Sequence, residues 1–212
     1  MNHTIINMSE GNHKQEEKND DVASKMGMWI FIFTELLLFG GLFLVYAVFR
    51  VKYADEFHRA AAQLNTFIGT LNTVILLVSS MTIAMSVTAI QNYNKKLAMN
   101  MILITLVLAF TFLVNKYFEW GLKIKHHLYP SSELMFNLKH GENIFFSLYY
   151  FMTGLHALHI IIGMTILTIA YVRVRNGSIH AGHFTLLENG GLYWHLVDLI
   201  WIFLFPLLYL IT

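Results

Sequence analysis

Five carboxyl or imidazole side chains lie inside long apolar stretches of this sequence, and they are the first candidates for chemistry. A carboxyl or an imidazole at that depth can hold a proton, pair with another helix or bind a metal ion. Which of these applies depends on the elements that carry the side chains. The five residues are Glu35, His156, His159, His195 and Asp198.

The composition is that of an integral membrane protein. Of 212 residues, 56% are hydrophobic and only 13% are charged, whereas a soluble domain has about a quarter charged residues. The mean hydropathy is +0.54, which excludes most soluble enzymes. A formal net charge of +1 gives no basic surface for nucleic acid, and the absence of cysteine excludes disulfides, thiolate metal sites and a cysteine nucleophile.

The elements that must position these side chains are membrane-spanning helices. Crossing a hydrocarbon core requires about 20 apolar helical residues. This predicts an all-α, polytopic bundle of five transmembrane helices within one domain, residues 27–212, after a flexible polar tail at 1–26. We also expect a partly ordered loop at 119–142. The five predicted spans are residues 27–49, 67–90, 97–118, 143–172 and 189–212.

Polar and small residues predict which helix faces are packed, because apolar faces gain nothing by leaving lipid. Three such stripes are apparent, one in each of the second, fourth and fifth spans. They comprise Asn72, Ser79, Thr82 and Ser86; His156, His159, Gly163 and Ala170; and Gly191, His195, Asp198 and Ile202. Lysine and arginine are equally numerous on both sides of the spans, so charge leaves the orientation open.

Glu35 lies about 12 Å inside its span at 1.5 Å per residue, where a charge is expensive. We expect its carboxyl to be protonated, paired or near internal water. Two interpretations remain open, a neutral acid bonded to a neighbouring helix and a role in handling protons or lipid. His195 and Asp198 are three residues apart, which predicts a structural pair joined by a charge-assisted hydrogen bond.

A haem or metal site is a weaker interpretation. His156 and His159 are less than one helical turn apart, which suits a shared polar face better than the two faces of one porphyrin. A mixed site with Glu35 stays open. The sequence contains no phosphate-binding loop, nucleophile elbow or His-Glu-x-x-His motif, so we expect no active site in this chain alone.

Five sequence blocks, in order, resemble subunit III of the haem–copper oxygen reductases. The similarity runs from about Lys25 to the end, and its most specific blocks are Thr-Gly-x-His-x-x-His and Tyr-Trp-His-x-x-Asp-x-x-Trp. The blocks are residues 28–41, 71–80, 118–120, 145–163 and 183–201, which include Glu35, Asn72, Glu119, His156, His159, His183, Glu188, His195 and Asp198.

The resemblance implies a non-catalytic subunit of a respiratory terminal oxidase, most similar to the five-helix bacterial form of the cytochrome c oxidase family. Such a subunit carries no haem, copper or other metal, and these cofactors lie in partner subunits. It packs on catalytic subunit I, near subunit II, binds phospholipid, and supports proton uptake, assembly and stability during turnover. Membership of a larger respiratory supercomplex is left open.

Roles for individual residues follow from the same resemblance. Glu35 corresponds to a membrane-embedded acid, and His195 with Asp198 to a structural pair. Lipid-headgroup or inter-helix contacts are implied for His156, His159, His183, Glu188 and Glu119. The resemblance also places the protein in the bacterial cytoplasmic membrane, with a cytoplasmic N-terminus and a periplasmic C-terminus.

Three alternatives remain. The chain could be subunit III of a quinol oxidase or of a nitric-oxide reductase complex. From another class, it could be a small proton or ion transporter with Glu35, His156 and His159 as relay groups. A b-type cytochrome would use the same two histidines as ligands.

Overall fold

A computed structural model describes the backbone of residues 2–125, 140–182 and 184–211, and the side chains of 19–20, 22–124, 140–182 and 184–211. Within these residues the chain forms six helices and no strand. The helices are α1 (Asn2–Lys52), α2 (Ala54–Ala61), α3 (Thr66–Gln91), α4 (Lys95–Lys125), α5 (His140–Asn176) and α6 (Thr185–Tyr209).

The prediction of five membrane-spanning helices is confirmed, because α1, α3, α4, α5 and α6 are each long and apolar enough to cross a bilayer. The predicted ends were less accurate. α4 continues seven residues beyond the predicted end at 118, and α5 begins three residues before the predicted start at 143. The rest of the predicted loop, residues 126–139, lies outside the described part of the chain.

The first helix also begins earlier than the predicted span, since the backbone is helical from Asn2. The described side chains from Val22 to Gly27 are exposed. The predicted flexibility of residues 1–26 stays a prediction.

Local sequence signals mark where α3 begins and ends and where α4 begins. Asn65 caps α3, because its side-chain oxygen accepts hydrogen bonds from the backbone N–H groups of Phe67 and Ile68, at 3.1 and 3.3 Å. Tyr93 follows α3 in the left-handed region with φ 58°. The side chain of Asn94 then accepts from the N–H of Leu97 at 3.1 Å, at the start of α4.

α2 is a short amphipathic helix that the sequence analysis missed. Its Phe57 is fully buried, while its charged face holds the start of α5. Glu56 accepts a hydrogen bond from the backbone N–H of Gly141 at 2.6 Å, and Arg59 Nε lies 3.0 Å from Glu142 Oε1. This contact fixes α5 relative to the end of α1.

α6 is the central helix of the bundle and packs against α1, α3 and α5, while α4 packs against α3 and α5. Trp194 shows how tightly it is held. Its indole Nε1 donates to Ser79 Oγ at 3.0 Å. A Cβ at Gly163 would lie 2.9 Å from the indole ring, so only glycine lets α5 approach this closely.

The packing stripes predicted for α3 and α5 are buried, whereas the stripe predicted for α6 is only partly so. On α6, Gly191 and Asp198 are buried, His195 is half-buried and Ile202 is 43% exposed. Residue spacing shows which side chains share a helix face, but not how much of that face is covered. In α6, His195 and Ile202 lie at the uncovered edge of the face, between α1 and α3.

Candidate functional site

The structure pairs Glu35 of α1 with His159 of α5. Glu35 Oε2 lies 3.0 Å from His159 Nε2, and their side chains are only 14% and 8% exposed. The other imidazole nitrogen, Nδ1, lies 2.8 Å from the backbone carbonyl of Leu155. A carbonyl only accepts, so Nδ1 carries a proton and donates it to this bond.

That assignment limits the pair to one exchangeable proton. Either a protonated Glu35 donates to a neutral Nε2, or a protonated imidazole donates to the carboxylate. Both arrangements are electrically neutral overall, which suits a position roughly 20 Å along α1 from Val22 at 1.5 Å per residue. The pair is therefore electrically neutral while it holds this proton and would carry one negative charge without it.

Aromatic rings enclose this pair. Phe39 meets the His159 ring edge-on, with centroids 5.5 Å apart. Tyr193 of α6 donates its hydroxyl to the carbonyl of His159 at 3.1 Å, and its ring stacks on Phe31 at 5.8 Å. These contacts hold α1, α5 and α6 together around the acid.

A second buried group, the Glu119 cluster, is formed by Lys116, Glu119, Lys123, Tyr149 and Tyr209. Lys116 Nζ lies 2.9 Å from Glu119 Oε2, and Lys123 Nζ lies 3.2 Å from Oε1. Tyr149 and Tyr209 donate their hydroxyls to Oε1 at 2.8 and 2.6 Å. Oε1 therefore accepts from three donors and Oε2 from Lys116 alone.

The cluster contains two ammonium groups and one carboxylate, and aromatic faces stabilise the excess cation. Lys116 Nζ lies 4.7 Å from the centre of the Trp201 ring, and Lys123 Nζ lies 4.1 Å from that of Tyr149. Cation–π attraction is strongest where water is excluded. The cluster joins α4, α5 and α6 near one end of the bundle.

His156 is fully buried between these two groups, and neither of its ring nitrogens has a hydrogen-bond partner in the described residues. Phe112 meets the ring edge-on at 5.7 Å, and the Trp201 ring lies 5.1 Å away. Binding an iron at either nitrogen would require this packing to open. His156 therefore packs between Phe112 of α4 and Trp201 of α6 with no exposed surface.

His195 and Asp198 do not form the hydrogen bond that their spacing predicts. His195 Nδ1 is instead 2.6 Å from the hydroxyl of Ser80 on α3. Ser80 also lies close to Asp198, but neither carboxyl oxygen of Asp198 forms a hydrogen bond within the described chain. The hydrogen bond of the His195 imidazole is thus made with Ser80 on the neighbouring helix α3, and not with Asp198 as the sequence predicts.

The remaining predicted residues lie apart from these groups. Glu188, at the start of α6, forms a partly exposed salt bridge with Lys25 at 2.9 Å. His183 lies outside the described residues. Among the residues described, no group of three or more His, Asp or Glu side chains is arranged to hold a metal ion.

The partners of Glu119 were not predicted from the sequence. The two lysines are three residues before it and four after it, a spacing that puts all three side chains on one helix face. This signal was available in the sequence. Tyr149 and Tyr209 are distant in the chain, and only the packing of α5 and α6 on α4 brings them together.

Comparisons with known proteins agree on one family. A family model described as cytochrome c oxidase subunit III matches residues 5–212. Cytochrome c oxidase subunit 3 of Rhipicephalus sanguineus is 33% identical over 87% of this chain and 69% of its own length. The protein of the same name from Thermostichus vulcanus is 32% identical over 88% and 87%. The heme-copper oxidase subunit I+III of Aeropyrum pernix is 30% identical over 88% of this chain and 22% of its own length.

Proposed function

The chain belongs to the cytochrome c oxidase subunit III family, and we propose that it is the non-catalytic accessory subunit of a respiratory haem–copper terminal oxidase. In this role it packs on catalytic subunit I, binds phospholipid, and supports proton uptake, assembly and stability during turnover. The oxidation of the electron donor and the reduction of oxygen take place at haem and copper in the partner subunits.

The match over residues 5–212 carries this proposal, because it covers all five membrane-spanning helices. The Aeropyrum relative supports direct packing on subunit I, since its name describes subunits I and III joined in one protein. Two proteins that work in contact can be fused without loss of that contact. Subunit II and a larger supercomplex are further proposed partners.

Two surface features support binding of phospholipid. An apolar groove of about 540 Å³ lies between α4 and α5, and it suits an acyl chain. It is lined by Phe110, Leu113, Val114, Lys116, Tyr117, Phe118, Trp120, Ala157 and Ile161. Exposed basic residues at the other end of these helices suit anionic headgroups, each adding about 1 kcal/mol near a membrane surface. They are Lys95, Lys96, Arg173 and Arg175.

The Glu35–His159 pair supports a role in proton handling. It holds one exchangeable proton at bilayer depth in a neutral pair. The proton between Glu35 and His159 stabilises the contact between α1 and α5. It can also be transferred to a group on a partner subunit that packs against α1.

We place this multi-pass membrane protein in the bacterial cytoplasmic membrane, with the N-terminus in the cytoplasm and the C-terminus in the periplasm. The electron donor is proposed to be cytochrome c, in line with the names of the relatives. A quinol oxidase or a nitric-oxide reductase complex is the alternative within the same class.

Removing this chain from the oxidase tests the proposal. We expect the remaining complex to keep its haem absorption, because the haem lies in other subunits, and to lose activity faster during sustained turnover. Proton uptake should slow as well. The measurement is oxygen consumption over time, with the purified chain added back as the control. If deletion left assembly, proton uptake and inactivation unchanged, the proposed role would be wrong.

A further inference from the structure

One face of the central helix α6 is uncovered between α1 and α3. We call it the α6 outer face and define it as His195, Leu199, Ile202 and Phe203. The last three side chains are 44, 43 and 56% exposed, and their spacing places them on one side of the helix with His195. α6 is otherwise the most buried of the five spanning helices.

A half-buried polar group, His195, lies at one end of this face. His195 is roughly 15 Å along α6 from Thr185 at 1.5 Å per residue, which is close to the centre of a bilayer. Its Nδ1 is bonded to Ser80, whereas its Nε2 forms no hydrogen bond within the described residues. Nε2 remains able to donate or to accept one hydrogen bond, depending on the tautomer.

A free polar atom facing lipid at this depth is unfavourable, because hydrocarbon offers no hydrogen-bond partner. An acyl chain cannot satisfy Nε2, and phospholipid headgroups lie at the membrane surface, about 15 Å away. The side chain of another transmembrane helix can reach it. Interhelical hydrogen bonds of this kind are a common means of association in membranes.

The walls beside His195 suit a helix as well. Leu77 and Ala84 of α3 are exposed on either side of Ser80, and Phe43 of α1 lies 6.3 Å from the ring of Phe203. The surface is apolar above and below one hydrogen-bonding atom. Its complement is an apolar transmembrane helix with one polar side chain at mid-depth.

We propose that the α6 outer face is the docking surface for a transmembrane helix of the catalytic subunit, which places a hydrogen-bonding side chain against His195 Nε2. This inference rests on the proposed function, which supplies the partner. Beyond that function, it specifies which face of this chain contacts the catalytic subunit. It also specifies that the contacting helix carries a hydrogen-bonding side chain opposite His195. It also explains why the sequence pattern of a packed stripe includes Ile202, although α6 leaves that residue uncovered.

Photocrosslinking in the intact oxidase tests this surface. A benzophenone amino acid is introduced at position 199 or 202 of the tagged chain, and at the 58% exposed Val107 of α4 as a control. Irradiation in the membrane should attach the catalytic subunit at 199 and 202 and not at 107. Crosslinks at 199 and 202 to lipid alone or to a second copy of this chain would overturn the docking surface.

In those cases the catalytic subunit would still co-purify with the chain, so the proposed function would stand. If it failed to co-purify with the unmodified chain at all, both the docking surface and the proposed function would be wrong. The two failures are therefore distinguishable in one preparation.

Substitutions of His195 test the polar contact itself. His195→Leu should lower retention of the catalytic subunit after a detergent challenge by about threefold to tenfold, the effect of one interhelical hydrogen bond. His195→Gln should restore most of it. Ser80→Ala removes the internal bond and leaves the imidazole in place, so it should have a smaller effect. Equal losses in His195→Leu and Ser80→Ala would show that His195 acts only within this chain.

Discussion

Glu119→Gln is expected to destabilise the bundle by about 3–5 kcal/mol, because it leaves two buried lysines without a counter-charge. The Lys116 and Lys123 side chains are only 4 and 9% exposed, so water cannot replace the carboxylate. Tyr149 and Tyr209 would also lose a charged acceptor. Unfolding of the detergent-solubilised protein in increasing SDS measures the change.

Two controls separate charge from general damage. Glu188→Gln removes a carboxylate from a salt bridge that is 34–46% exposed, and such pairs contribute about 0–1 kcal/mol. The triple variant Lys116→Met, Glu119→Gln, Lys123→Met replaces all three charges and should recover much of the loss, as replacing a whole buried ion group often does. A loss for Glu119→Gln no larger than for Glu188→Gln would contradict the buried cluster.

Glu35→Ala is expected to cost about 1–3 kcal/mol, because it leaves His159 Nε2 unpaired and opens a space beside it. Glu35→Gln should be much milder. Since His159 Nδ1 donates to the Leu155 carbonyl, a neutral imidazole presents Nε2 as an acceptor, and the amide of glutamine can donate to it. The stability of the purified oxidase in detergent, measured for each variant, shows the difference.

Thr34→Ala is the matched control, since Thr34 is the exposed neighbour of Glu35 and bonds only to the carbonyl of Phe31 in its own helix, at 2.7 Å. It should leave stability within about 0.5 kcal/mol. If Glu35→Gln were as harmful as Glu35→Ala, the pair would require the carboxylate charge, and the arrangement of a protonated Glu35 with a neutral His159 would be wrong.

The sequence predicts all five membrane-spanning helices, but it predicts their ends less accurately. Apolar stretches longer than the bilayer permit only one regular structure, which is why all five spans were predicted. α4 runs past the predicted end at residue 118, because Lys116 and Lys123 form salt bridges with Glu119 on one helix face. Aromatic rings stabilise the excess positive charge there. α2 has only eight residues, too few for a reliable periodic pattern.

The sequence indicates features that depend on a single helix, such as the depth of Glu35 in the membrane. It does not indicate contacts that depend on how different helices pack together. Glu35 was expected to be paired, protonated or near internal water, and its depth required one of these. Its particular partner, His159, lies 124 residues later, and spacing cannot reveal such a contact. The same reason explains His195, whose spacing pointed to Asp198 on its own helix while Ser80 on α3 forms the bond.

The central claim, that this chain is a haem-free subunit of an oxidase, is tested most directly by a mild-detergent pull-down of the tagged protein. A reduced-minus-oxidised spectrum is taken on the eluate, and again after harsher detergent strips the partners. We expect haem bands together with a large catalytic subunit, and the loss of both on stripping. Haem that stayed with this chain alone would contradict the account and make His156, His159 and His195 candidate ligands. An eluate with neither haem nor partner would contradict it as well and favour a transporter that uses Glu35.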